Sequence, residues 1–117
     1  MFISNTADDE GNNVSVINTD TGINPNEVID TISGITNANG LAYDPVNEEM
    51  YVTEFIALQV PSSNVRVIDT NTNALVGDPI LVGSLPDEIA YEPVHRRMYV
   101  ANFGSNSISV IQIPQSS

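Results

Sequence analysis

The 117-residue chain has no cysteine, no lysine and no tryptophan, and a single histidine, His95. Without cysteine there is no disulfide framework, no thiolate metal site and no thiol redox chemistry. With one histidine, no cysteine and no lysine, Ser-His-Asp, Cys-His and Schiff-base mechanisms have almost no material to work with. Basic residues are nearly missing as well: three arginines (Arg66, Arg96, Arg97) face 15 acidic residues, a formal charge of −12. Nucleic acid and anionic lipid both need a basic footprint, so neither is expected as a partner. No window approaches 18 continuous apolar residues, so no membrane insertion is expected, and no charged segment followed by an apolar one opens the chain. Helical 3.6-residue periodicity is absent too. The acidity itself reads as a solvated outer surface, or as adaptation to high salt or strong acid.

What is present is a phrase said twice. Residues 41–55 read LAYDPVNEEMYVTEF and residues 89–103 read IAYEPVHRRMYVANF, with eight of the fifteen positions identical. Each copy is followed by an alternating segment, NVRVID at 64–69 and SISVIQ at 107–112, and a third relative, NVSVIN, lies at 13–18. MFIS at 1–4 then aligns with MYVT at 50–53 and MYVA at 98–101, so the chain holds three copies of one unit, the first without its head. The units run approximately over 1–38, 39–86 and 87–117.

Each unit reads as four short strands with period-two alternation. Strand a is GLAYD (40–44) or EIAYE (88–92), strand b the MYVT type, strand c the VRVID type. Strand d is EVIDTIS (27–33) or ALVGDPILVG (74–83). DPVNEE and EPVHRR supply proline turns between a and b; NTDTG and DTNTN supply Asx and Thr turns between c and d. Four antiparallel strands recurring about every 45–50 residues predict an all-β fold, a partial β-propeller of about 2.5–3 four-stranded blades. The strand order is b-c-d, a-b-c-d, a-b-c. All seven aromatic residues fall in strands a and b or at the end of b, which predicts that they fill the wedges between blades.

At MYVTEF…NVRVIDTNTNALV, and again at LPDEIAYEPVHRRMYVANFGSNSISVIQ, the chain resembles the YVTN-repeat β-propeller family. Tyr99-Val100-Ala101-Asn102 reproduces the naming phrase; Tyr51-Val52-Thr53 follows it with Glu54 replacing Asn, and Phe2-Ile3-Ser4-Asn5 is a looser version. The resemblance implies a protein of the cell-surface and surface-layer type, within a wider group that includes lactonase-like propellers. It therefore implies an extracellular or cell-surface location. Rings of this family have about seven blades, so this chain is expected to be completed by homo-oligomerisation or by the rest of a longer propeller. The first copy starts on Met1, in register with Met50 and Met98. This leads to the expectation that strand a of the first unit, and a secretion signal, lay upstream.

Candidate sites are few. Asp69-Thr-Asn-Thr-Asn starts like a calcium loop, but Ala74 stands where the turn glycine belongs and Ile80 where the bidentate Glu belongs, so an Asx turn explains it better. Asp8-Asp9-Glu10 has no ligand spacing. Asn39, Asp87 and Glu88 precede or open strand a and are expected at the mouth of a central channel, where related lactonase-like propellers hold a metal; calcium is the cation such a site would take. Glu48-Glu49 and Arg96-Arg97 occupy equivalent turn positions with opposite sign and are candidates for setting an assembly register. No catalytic residue and no resident cofactor is assigned. The leading functional expectation is a non-enzymatic surface or interaction module with a protein or surface-lattice partner; the alternative is a small-molecule-binding or lactonase-like hydrolytic propeller.

Overall fold

Side chains on a strand alternate between faces, so a segment such as NVRVID buries one set of residues on each side only if both sides are covered. A computed structural model of the chain describes residues 2–5, 13–17, 27–35, 38–54 and 63–114. Within them the fold is all-β, with three antiparallel sheets and no closed barrel. The first sheet joins β1 (Phe2–Asn5), β2 (Asn13–Ile17) and β3 (Val28–Ser33) in that order. The second joins β4 (Ala38–Asp44), β5 (Glu49–Glu54) and β6 (Ser63–Asp69), with the short strands β7 (Ala74–Leu75) and β8 (Ile80–Val82) both paired to β6. The third joins β9 (Pro86–Glu92), β10 (Arg97–Asn102) and β11 (Ser107–Gln112).

Two expectations need correction. Strand d of the second unit is not one run over 74–83: it breaks into β7 and β8 around Gly77, at φ 68°, and Pro79, which has no N–H for the ladder. Strand a starts earlier than read, at Ala38 and Pro86, because a bulge near its start lets pairing continue past it. The loop FGSNS contains a 3-10 turn, Phe103–Ser105, closed by Asn106 in the left-handed region. The acidic loop holding Asp8-Asp9-Glu10 lies outside the described residues.

The proline turns repeat in geometry as well as in sequence. Asp44 Oδ1 accepts the Val46 N–H at 3.0 Å; the longer Glu92 carboxylate accepts the Val94 and His95 N–H groups, each at 2.9 Å. Glu48 and Arg96, at the same place in each turn, both take positive φ (57° and 56°).

The sheets pack face to face through two apolar clusters. Between the first and second sheets lie Val14, Val16 and Ile32 against Val52 and Ile68, with Phe2, Leu41 and Met50 at the margin. Between the second and third lie Ala42, Tyr51, Val65 and Val67 against Ile89, Met98 and Val100, with Ile111 and Tyr91 alongside. The residues correspond position by position. Phe2 and Tyr51, Val14 and Val65, Val16 and Val67 form the receiving face. Met50 and Met98, Val52 and Val100, Ile68 and Ile111 form the face that docks onto it.

Candidate functional site

The residues singled out before strand a lie on a bulge that recurs in phase. In the second sheet Asn39 and Gly40 together oppose Thr53, between the pairs Ala38↔Glu54 and Leu41↔Val52. In the third, Asp87 and Glu88 oppose Ala101, between Pro86↔Asn102 and Ile89↔Val100. The bulge brings two of the three together across the sheets: Asn39 Nδ2 donates to Asp87 Oδ1 at 2.6 Å. The exposed Glu88 points elsewhere, lining a shallow depression on the far side of the third sheet. No group of three or more His, Asp or Glu side chains among the described residues is placed to hold a metal ion.

A hydroxyl beside the bulge does what the sequence did not announce. Thr53 Oγ1 accepts the Gly40 N–H at 2.7 Å within its own sheet and donates to the Asp87 carbonyl at 3.1 Å in the next. Ser4, at the same repeat position in the first sheet, donates to the Asn39 carbonyl. Each hydroxyl fastens the inner strand of the following sheet. Gly40 is required by the same closeness, since a β-carbon there would collide with the Asp87 carbonyl oxygen.

The four turn residues proposed for assembly are placed as follows. Arg96 Nη2 sits 3.8 Å from Asp44 Oδ2, joining the third sheet to the second, and Asp44 is fully buried. Asn47 Nδ2 adds a bond to the Pro114 carbonyl at 2.9 Å at this junction. Arg97 Nε donates to Gln112 Oε1 at 3.1 Å on the neighbouring strand. Glu48 Oε2 accepts the Asn71 amide at 2.6 Å, inside the Asx turn in which Asp69 Oδ1 takes the Asn71 N–H at 2.8 Å. Partial burial pushes the Glu49 carboxyl up, helped by the nearby charges of Asp44 and Asp69. Burial also pushes the Tyr51 phenol up, to about 12, with Glu49 and Asp44 adding to it. His95 is solvated, its Nδ1 3.3 Å from Glu92 Oε2, and the Glu92 carboxyl is held low, chiefly by the hydrogen bond from the His95 backbone.

The largest departure from ordinary surface chemistry is the far side of the third sheet. Tyr99, Ile108 and Val110 are 37, 67 and 54 % exposed, whereas their counterparts Tyr51, Val65 and Val67 are 2, 0 and 8 % exposed. Ala90 and Ala101 are exposed beside them, and Glu88, Ile89, Ala90, Tyr99, Ala101 and Ile108 line a depression of about 170 Å³. The aromatics therefore do not all fill wedges: Tyr51 does, while Tyr43, Tyr99 and Phe103 are exposed, Tyr99 because no sheet among the described residues lies against its face. Phe55 lies outside the described residues. The sequence already held the signal, in the equivalence of Tyr99, Ile108 and Val110 to residues that pack.

Among the described residues, these features define a stack of three antiparallel sheets with an uncovered receiving face at one end. No family model matches the sequence, and neither does any curated protein sequence. The fold is similar to that of hydrazine synthase from Kuenenia stuttgartiensis: TM-score 0.75 and 26% sequence identity over 95% of this chain. The chain spans 28% of the length of that one.

Proposed function

We propose that this chain is a non-enzymatic interaction module built of YVTN-type propeller blades, which works by having its open face covered by another sheet. The observation that carries this reading is the exposure of Tyr99, Ile108 and Val110, at the very positions that form the cores of both internal junctions. An apolar face of this kind marks an interaction surface, and burying such side chains fully is worth roughly 1.5–3 kcal/mol each. The in-phase sheets, strand order b-c-d, a-b-c-d, a-b-c, and the structural similarity over nearly the whole chain support blades of a propeller rather than a sandwich. An extracellular or cell-surface setting is what the family resemblance implies for it.

The experiment sets this against the hydrolytic alternative. Purified protein is given a panel of lactones and esters with and without calcium, and its thermal midpoint is followed over a calcium titration. The expected outcome is no turnover and no shift in midpoint. Hydrolysis that requires calcium and disappears in Asp87→Ala would overturn the reading.

A further inference from the structure

We propose that Asn39-Gly40 is a latent deamidation site, held unreactive by hydrogen bonds from all three sheets, whose conversion in an opened chain keeps the sheets from closing properly again.

The chemistry starts from the sequence, in which Asn followed by Gly occurs once, at 39–40. The backbone nitrogen after an asparagine can attack that residue's own Cγ, and a glycine there has no side chain to block the approach. The new N–Cγ bond forms, the Cγ–Nδ2 bond breaks, and the amide leaves as ammonia, carrying off the backbone proton. The cyclic imide then adds one water and opens at either carbonyl, leaving aspartate or isoaspartate at position 39. Water is the only co-reactant.

The fold opposes each movement this attack requires. Asn39 lies inside β4, where extended backbone keeps the nitrogen of residue 40 away from the Asn39 side chain. The Gly40 N–H donates to Thr53 Oγ1 at 2.7 Å, so the nucleophile keeps its proton. The Asn39 carbonyl accepts the Ser4 hydroxyl, so the peptide group between residues 39 and 40 is gripped at both ends and cannot rotate. The leaving group is gripped as well: Asn39 Nδ2 donates to Asp87 Oδ1 at 2.6 Å. These three holds come from β1, β5 and β9, one strand of each sheet. Thr53 is itself fully buried and tied to the Asp87 carbonyl, whereas Asn39 is half-buried. Protection therefore rests on the hydrogen bonds rather than on exclusion of water.

Conversion damages the contact that prevented it. A carboxylate at position 39 cannot donate to Asp87, so one hydrogen bond is replaced by two like charges. Isoaspartate also adds a methylene to the main chain beside Gly40, where even a β-carbon would collide with the Asp87 carbonyl oxygen. A chain that stays open long enough to react closes poorly, and unfolding becomes progressively irreversible.

Peptide mapping by mass spectrometry during incubation at neutral pH reads the reaction directly. Asn39 in the folded wild type should deamidate more than about tenfold slower than in strong urea. Thr53→Val, which frees the Gly40 N–H, should speed the reaction at least about threefold under folding conditions, and Thr53→Ser should stay near the wild-type rate. Ser4→Ala, which frees the other end of the peptide group, takes the place of Thr53→Val if circular dichroism shows that variant unfolded. Arg96→Gln lowers stability but leaves all three holds in place, and should react at the wild-type rate while folded. Asn39→Asp, the product itself, should lower the thermal midpoint by about 2–5 °C. The double variant Asn39→Asp, Asp87→Asn exchanges donor and acceptor and should recover most of that loss. The proposal is overturned if the folded wild type reacts as fast as in urea, or if the freed variant reacts no faster than Arg96→Gln. An unchanged midpoint in Asn39→Asp overturns it too.

Discussion

Thr53 shows how much one hydroxyl carries at a sheet junction. It is fully buried, takes the Gly40 N–H and gives its own proton to the Asp87 carbonyl, so one side chain satisfies a bulged backbone and crosses to the next sheet. Thr53→Val keeps the shape but leaves both backbone groups unpaired, and should lower stability by about 1–3 kcal/mol in urea unfolding, with Thr53→Ser recovering most of it. Gly40→Ala should be comparably damaging, because the collision is with backbone that cannot swing aside. Tyr51 offers a pH readout at the same scale. Its pKa rises from 10.0 to about 12 on folding, so the folded state holds its proton longer than the unfolded one. Its contribution is fully present below pH 10 and is lost as pH rises through about 12. Ultraviolet titration of the phenols should show one tyrosine ionising late, and Tyr51→Phe should remove that step.

At the scale of elements, the turn between β4 and β5 gathers like charges. Asp44, Glu49 and Asp69 lie near one another, and Arg96 from the third sheet is the cation that meets Asp44. Desolvation and these neighbours raise the Glu49 pKa in the folded state, so its ionisation opposes folding: the effect is absent at low pH and grows as pH rises through the carboxylate range. Glu49→Gln should therefore raise the thermal midpoint at neutral pH, by roughly 1–5 °C, and the gain should vanish below about pH 4. Removing Arg96 should act in the opposite direction. Arg96→Gln leaves the buried Asp44 without its cation and should destabilise by about 1–3 kcal/mol, less than a fully enclosed pair because the guanidinium still reaches solvent. The Phe103 side chain in the β10–β11 turn has the opposite character: it is exposed, and Phe103→Ser should be nearly silent in stability.

At the scale of the whole molecule, charge and the exposed apolar face of the third sheet compete. A chain with a charge of −12 repels itself in the folded state and repels a second copy, while the face at Tyr99, Ile108 and Val110 favours contact. Salt screens the first effect and leaves the second intact, so moving from about 0.02 M to about 0.5 M sodium chloride should raise both the thermal midpoint and the sedimenting mass. The midpoint should also rise with protein concentration at fixed salt, because association stabilises only the folded chain. Val110→Asp should abolish the concentration dependence while leaving the salt dependence of the single chain. Concentration-independent melting in the wild type would mean that the open face has no partner in its own kind.

Period-two alternation and the recurrence of MYV with the proline turn were enough to read the strands, their antiparallel order and the places of the turns, since those depend on local alternation and on residues three or four apart. The equivalence of Tyr51 and Tyr99 was readable too, but not that one is buried and the other exposed, because burial depends on which sheet lies opposite. The break at Gly77 and Pro79 could have been anticipated from backbone chemistry; the bulge opposite Thr53 could not, since it arises from a mismatch between two strands. Asn39 and Asp87 read in sequence as residues of one channel mouth, 48 positions apart, and stacking of neighbouring sheets placed them 2.6 Å apart in a hydrogen bond. Arg96 read in sequence as an assembly candidate, and the same stacking set it 3.8 Å from Asp44. The sequence by itself determined what each strand is and which residues share a face. Only the tertiary structure decided which faces are spent inside the chain and which remains open, because that is a property of contacts between units about 48 residues apart.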